Sequence, residues 1–171
     1  MPKIEQYEST ISTLRLCLDP MMASHAKAMF PILSDRQLYE FTGEEPPESE
    51  VSLASRYRYL EGRKSPDESQ LWLNWLVYLE ESDTPVGYVQ ATVSESHADI
   101  AWVVGSDWQG NGYASEAALA MAQWLSKNGV TTIRACINPN HVASQRVAGN
   151  VGLSKSEFVE NDEEVWLFQS T

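Results

Sequence analysis

The run Trp108-Gln109-Gly110-Asn111-Gly112-Tyr113-Ala114-Ser115-Glu116-Ala117 is the stretch whose residue types and spacing point to chemistry. It joins an apolar strand-like segment to an amphipathic helical one. Gly110 and Gly112 let the backbone take angles closed to other residues and approach a ligand closely. The first turn of a helix offers N–H groups with no intrahelical acceptor, aimed into one small volume. Such a terminus suits an anion with several charges and acceptors, such as a diphosphate. A plain glycine-rich connection is the other reading of these residues. Other phosphate loops fit poorly. A Walker loop needs a closing Gly-Lys-Ser/Thr, which is missing. The dinucleotide fingerprint needs an acidic residue about 20 positions on, and position 132 is Thr.

The remaining polar candidates lie close by. Asp99 starts the segment before the loop, and Asn140 and Ser144 open a short helical stretch beyond the next strand. Asn140 reads equally as a ligand-binding amide or as a helix N-cap. Glu116 suits the first turns of a helix, where carboxylates are favoured. The three histidines, His25, His97 and His141, lack the i, i+4 spacing of a metal pair. His141 falls near Ser144, where a proton relay is conceivable and a surface position is the simpler reading. There is no Gly-x-Ser-x-Gly elbow for a hydrolase.

These residues must be positioned by elements that the pattern locates. Thr10 to Leu18 alternates as a strand. Asp19 and Pro20 read as N-cap and first residue of a helix over Met21 to Phe30. Residues 40 to 50 carry five glutamates and no base, around Pro46-Pro47. They read as a solvated loop, with attraction of cations as the alternative. Ser49 to Arg63 has helical spacing. Leu71 to Glu80 is apolar on both faces, as a buried strand is. Thr84-Pro85 marks a turn, and Val86 to Ser94 alternates. Asp99 to Val104 is a further strand. Tyr113, Ala117, Ala120, Met121 and Trp124 place a helix over 112–128, stopped by Asn128-Gly129. A strand over Thr131 to Ile137, a helix from His141 to Val151 and strands over Leu153 to Val159 and Val165 to Gln169 complete a mixed sheet with helices on it.

Length and charge narrow the function. The 171 residues suit one domain, over 1–171, with a core that needs no staples. Twelve Lys+Arg against 24 Asp+Glu give a net charge of −12. That balance disfavours nucleic acid and anionic membrane and favours a cationic partner. Cys17 and Cys136 form no CxxC pair and read as small buried residues. The polar run Met1 to Gln6 does not look like a signal peptide, so a cytoplasmic location is the expectation.

With these motifs in place, the chain resembles the GNAT acetyltransferase superfamily. Gln109-x-x-Gly112-x-Ala114 matches its Gln/Arg-x-x-Gly-x-Gly/Ala signature for the diphosphate of acetyl-CoA. WQGNGYASEA, Asn140-x-x-x-Ser144 with Gly152-Leu153, and Thr13-Leu14-Arg15-Leu16 resemble the RimJ/RimL-like branch, which acetylates protein N-terminal amines and small amines. The resemblance implies an α/β (α+β) fold with a mostly antiparallel sheet of six to seven strands. That sheet would be splayed at its centre, with helices on both faces. It implies acetyl-CoA as co-substrate, no metal, and direct attack by a primary amine. Backbone groups at Val103 and Val104 would pair with the pantetheine arm and polarise the thioester. Gln109, Gly110, Asn111, Gly112, Tyr113 and Ala114 would wrap the diphosphate, and Asn140 would bind pantetheine amides. Ser144 would protonate the departing thiolate and Asp99 would serve as base. Residues 141–152 hold no Tyr, the acid in many relatives, and Leu153 replaces the usual Phe. Two other classes stay open: a catalytically silent acyl-CoA-binding module, and a nucleotide-binding α/β protein. The acceptor would be a protein N-terminus or a small cationic amine, and a homodimer is compatible.

Overall fold

The computed structural model describes residues 9–169, so the segment Met1 to Gln6 lies outside the described residues. Eight strands form one sheet in the order β1-β2-β3-β4-β5-β6-β8-β7. They are β1 (Ile11–Ser12), β2 (Leu16–Pro20), β3 (Leu71–Leu79), β4 (Thr84–Ser94), β5 (His97–Val104), β6 (Thr132–Ile137), β7 (Ser154–Glu160) and β8 (Glu163–Gln169). Every pairing is antiparallel except β5 with β6. The four α-helices are α1 (Ala26–Leu33), α2 (Glu50–Leu60), α3 (Tyr113–Lys127) and α4 (Val142–Val151).

The strand count exceeds the six to seven expected because Thr13 to Arg15 breaks the first strand into two. The Thr13 N–H donates to the Leu16 carbonyl there, and the Leu16 N–H donates to the Thr13 hydroxyl, making a turn. The helix expected from Asp19 is also displaced. Asp19 and Pro20 continue β2 opposite Leu76 and Trp75, and α1 starts only at Ala26. Proline is tolerated there because β1 reaches only to Leu18, so no partner on that side needs a Pro20 N–H. Thr84 and Pro85 likewise lie inside β4, opposite Leu79 and Tyr78, rather than in a turn.

Side-chain alternation divides the core into two layers. Val89, Ala91 and Val93 of β4 pack with Trp75 of β3 against Ala117, Met121 and Leu125 of α3. Those helix residues lie four apart, the spacing of one helix face. Trp75 is fully buried and meets Trp124 edge-on, with ring centroids 5.4 Å apart. Such a pair adds about 0.5–1.5 kcal/mol beyond area burial. On the other face, Leu76, Tyr78 and Tyr88 pack against Met29 and Leu33 of α1 and Leu53 and Tyr57 of α2. Ser49 caps α2 by accepting from the Ser52 N–H at 3.0 Å.

The sheet forks between β5 and β6. They pair only over His97–Asp99 with Thr132–Arg134. Beyond that point β5 stays with β4 as far as Val104, and β6 stays with β8 as far as Ile137. Two parallel strands held by different neighbours diverge, because each sheet half carries its own twist. The expected splay is therefore present, with its open end at Val104 and Ile137. Gly87 sits where β4 closes on β5 beside that end. A Cβ there would lie 2.9 Å from the Val104 Cα, too close for any other residue without a shift.

Candidate functional site

The open end of the fork brings together the loop after β5, the start of α3 and the start of α4. Gly110 and Gly112 both take left-handed angles, φ 81° and φ 80°, and Gly112 is the residue before α3. A Cβ at Gly110 would meet nothing within 4 Å, and one at Gly112 would meet only the Arg15 guanidinium, at 3.5 Å. The glycines are thus needed for conformation and approach, not for packing. Side chains peg the loop through its carbonyls. Gln109 Nε2 donates to the Val104 carbonyl at 2.9 Å, and Asn111 Nδ2 donates to that of Trp108 at 2.9 Å. At the start of the loop the N–H groups of Trp108 and Gln109 donate to the Gly105 and Ser106 carbonyls. The first bond of α3 is from the Glu116 N–H to Gly112, so the N–H groups of Tyr113, Ala114 and Ser115 precede the helical ladder. Two peptide planes turned by Gly110 and Gly112, followed by a helix terminus, make a cradle of the right chemistry for a diphosphate.

Arg15 completes this cradle and was not among the residues expected to form it. Its Nη1 donates to the Asn111 carbonyl at 3.0 Å, and its guanidinium lies 4.8 Å from the centre of the Tyr113 ring. Glu116 holds it from below, accepting from Nε at 2.7 Å, while the Thr13 hydroxyl donates to the same carboxylate at 2.6 Å. Burial opposes ionisation of Glu116, but the bonds from Thr13 and Arg15 outweigh it and hold its carboxyl below the usual range. Glu116 is therefore a peg between the β1–β2 turn and α3. A guanidinium has five donors, so Arg15 keeps N–H groups beyond those used here.

The two strands of the fork present different faces. Cross-strand partners share a face, so Val103 opposite Tyr88, Ala101 opposite Gln90 and Asp99 opposite Thr92 look toward α1 and α2. Trp102 packs with the α3 layer and Val103 with the α1/α2 layer. Asp99 stands at the closed end of the fork, directly opposite Arg134, and accepts from its Nε. Arg134 Nη1 also donates to Glu160 at 2.6 Å. Asp99 and Val103 are four positions apart, about 13 Å along a strand. The structure thus places Asp99 on the same face as Val103 but not beside Ser144.

At the other lip, α4 begins with His141, not Asn140, as its cap. His141 Nδ1 accepts from the Ser144 N–H at 3.2 Å. Asn140 is exposed, and its backbone N–H donates to Asn138 Oδ1 at 2.9 Å. The cap alternative for Asn140 is therefore filled by its neighbour. Ser144 is half-buried in the first turn of α4, with Oγ 3.3 Å from His141 Nε2. The His141 ring packs on Phe41 from the segment between α1 and α2, with centroids 4.5 Å apart. Burial lowers the His141 pKa below its usual value, so the ring is neutral at pH 7.

A cavity of about 330 Å³ lies on the α1/α2 face, with Tyr88 and Gln90 of β4 in its wall. Tyr39, Tyr57, Glu44, Glu45 and Glu48 also line it. The Tyr57 hydroxyl is buried with no hydrogen-bond partner among the described residues. Burial raises the pKa values of Tyr57 and Tyr88, the latter to about 12, so both remain neutral phenols. The glutamates of the 40–50 segment are thus partly cavity wall and not only solvated loop. Cys17 and Cys136 are each half-buried and free. Among the described residues, no three His, Cys, Asp or Glu side chains are grouped to hold a metal, and no helix is long and apolar enough to cross a membrane.

A forked sheet whose open end meets a glycine-turned helix terminus is a cleft with one end suited to an anionic group. Comparison with known proteins agrees. The family model described as acetyltransferase (GNAT) domain matches residues 15–154, and the chain belongs to that family. It is an N-acetyltransferase using acetyl-CoA. A GNAT-family acetyltransferase from Bacillus anthracis is similar in structure, with TM-score 0.79, 20% identity, and coverage of 94% of this chain and 98% of that one. A Vibrio cholerae protein assigned as a ribosomal-protein-serine acetyltransferase has TM-score 0.76 and 18% identity, covering 95% and 98%. The aminoglycoside acetyltransferase AAC(6')-Ib, in complex with coenzyme A, has TM-score 0.73 and 15% identity, covering 90% and 94%. No curated protein matches the chain in sequence.

Proposed function

We propose that this enzyme transfers the acetyl group to the primary amine of a cationic acceptor, in the manner of the RimJ/RimL-like branch. The observation that carries the reading is the position of the fork. It opens toward the helix-terminus cradle, and Tyr88, the cross-strand partner of Val103, lines a cavity walled by Glu44, Glu45 and Glu48. The donor's diphosphate lies against Gln109 to Ala114, with Arg15 adding charge. Its pantetheine arm runs along β5 at Val103 and Val104, where β6 has turned away. Asn140, exposed at the opposite lip, bonds the pantetheine amides. The acceptor's ammonium is drawn to the glutamates, and the unpaired Tyr57 hydroxyl gives it a polar partner.

The amine must attack in its neutral form. For an α-amine this costs about 1 kcal/mol at pH 7, and for a lysine about 4–5 kcal/mol. An α-amine or similarly acidic amine therefore needs little from a base. Asp99 receives the proton through a chain of waters along the β5 face it shares with Val103. A backbone N–H at Val103 or Val104 stabilises the oxyanion of the tetrahedral intermediate. As the C–S bond breaks, the Ser144 hydroxyl donates to the departing sulfur.

The test is a mass-spectrometric screen of acetyl-CoA with polyamines, an aminoglycoside and peptides bearing free N-termini, followed in parallel by thiol release. Acetylated cationic amine with stoichiometric thiol is the expected result. Acetyl-CoA binding without thiol release across the panel would favour the silent acyl-CoA module instead.

A further inference from the structure

The cavity on the α1/α2 face carries charges of both signs. Glu44, Glu45 and Glu48 come from the segment before α2, and Arg56 comes from α2 itself. Glu45 has a partner at the surface, Arg36 at 3.5 Å. Arg56 makes no hydrogen bond or ion pair among the described residues, although three carboxylates line the same space of about 330 Å³. Next to it in α2 is Tyr57, 3% exposed, whose hydroxyl has no hydrogen-bond partner among the described residues. Burial keeps this phenol protonated, so it has an O–H to donate. A buried donor left without an acceptor is destabilising, and a ligand in the cavity can relieve it. A guanidinium and a phenol O–H are both donors, and together they suit a carboxylate, which accepts at two oxygens.

The two signs lie toward different ends. Among the charged groups, Glu44 acts most on the Tyr39 and Tyr88 phenols, and Arg56 acts most on Tyr57. Tyr88 is the cross-strand partner of Val103, so the Glu44 end is the one beside the β5 lip. The Arg56–Tyr57 end belongs to α2 and not to the sheet. We propose that the acceptor is an amine that also carries a carboxylate, a cationic amino acid or a short basic peptide. Its carboxylate binds Arg56 and Tyr57, and its reacting amine is held toward Val103 from the Glu44 end. This rests on the acetyl-transfer reading above and names the substrate class of that site. Three glutamates against one arginine match a ligand with more ammonium than carboxylate groups. The reaction itself is unchanged. The amine nitrogen bonds the acetyl carbon, the C–S bond breaks, and one proton passes overall from nitrogen to sulfur. The acceptor carboxylate serves only as a handle.

The experiment pairs acceptors that differ in the carboxylate. Lysine is compared with cadaverine, and alanyl-lysine with its C-terminal amide, using the full chain and acetyl-CoA. Thiol release and mass spectrometry give kcat/KM for wild type, R56A and Y57F. Wild type is expected to favour the carboxylate member of at least one pair by about tenfold or more, the worth of a charge-assisted bond. The pair that shows the preference tells amino acid from peptide. Arg56 is exposed, so R56A should melt as wild type does, which melting curves check. R56A should remove the preference, leaving cadaverine and the amide within about twofold. Y57F should lower the same carboxylate values by about threefold or more and melt no lower than wild type, because its lost hydroxyl has no partner in the free protein. Equal use of both members, equal losses in R56A for both, or turnover of a polyamine or aminoglycoside with neither carboxylate would overturn the proposal and leave acetyl transfer standing. Absence of thiol release by wild type with every amine would overturn the functional reading, and this one with it.

Discussion

Substitution of Gly112 by valine separates the ligand-binding reading of the loop from a merely conformational one. Gly112 sits at φ 80°, ψ 9°, and Gly110 at φ 81°. A non-glycine residue in that region costs about 1–2 kcal/mol at either position. A domain of this length loses about 2–4 °C of Tm per kcal/mol, so each variant should melt roughly 2–8 °C lower and remain folded at 25 °C. Binding should separate them. A Cβ at 112 already comes to 3.5 Å from Arg15 Nη2, and the two methyls of valine extend into the space before Tyr113 and Ala114. Charge-assisted bonds to a diphosphate are worth about 1.5–3 kcal/mol each. Loss of two of them weakens acetyl-CoA by about 10²–10⁴-fold. Gly110→Ala, with open space around its Cβ, should bind far more nearly as wild type. Isothermal titration with acetyl-CoA, alongside melting curves, reads both quantities. A Gly112→Val protein that melts as expected yet binds acetyl-CoA with wild-type affinity would refute the assignment of the diphosphate to this helix terminus.

Two further outcomes follow from the site. Ser144→Ala should lower kcat about tenfold or more while leaving the acetyl-CoA Kd unchanged, which stopped-flow thiol release and titration check together; equal kcat would remove the proton-donor role. Glu116 has a depressed carboxyl pKa in the folded protein, so its contribution is fully present above its unfolded value near 4.5 and is lost as pH falls through the lower folded value. Glu116→Gln should therefore be less stable at pH 7 and lose less additional stability on acidification. Parallel melting curves that keep the same offset from wild type at pH 7 and at pH 3 would contradict that linkage.

The local parts of this site were legible from residues close in the chain. Gly110 and Gly112 before an apolar three-four repeat predict a turned loop and a helix start, because backbone freedom and helix periodicity are properties of neighbouring residues. The same holds for Gly152, which ends α4 at φ 98°. Asp19-Pro20 misled for the converse reason. Its local preference is a helix start, but pairing with Leu76 and Trp75, more than fifty positions away, outweighs it.

What tertiary structure alone decided is which distant groups meet at the fork. Arg15 reaches Glu116 across 101 positions, and Phe41 covers His141 across the mouth of the sheet. The 40–50 glutamates become cavity wall only because α2 packs its Leu53 and Tyr57 onto β3 and β4. The sequence alone determined a strand, a glycine-turned loop and a helix terminus able to hold an anion, since these depend on adjacent residues. The placement of Arg15, His141 and the acidic cavity around that terminus depends on sheet order and twist, which no local pattern encodes.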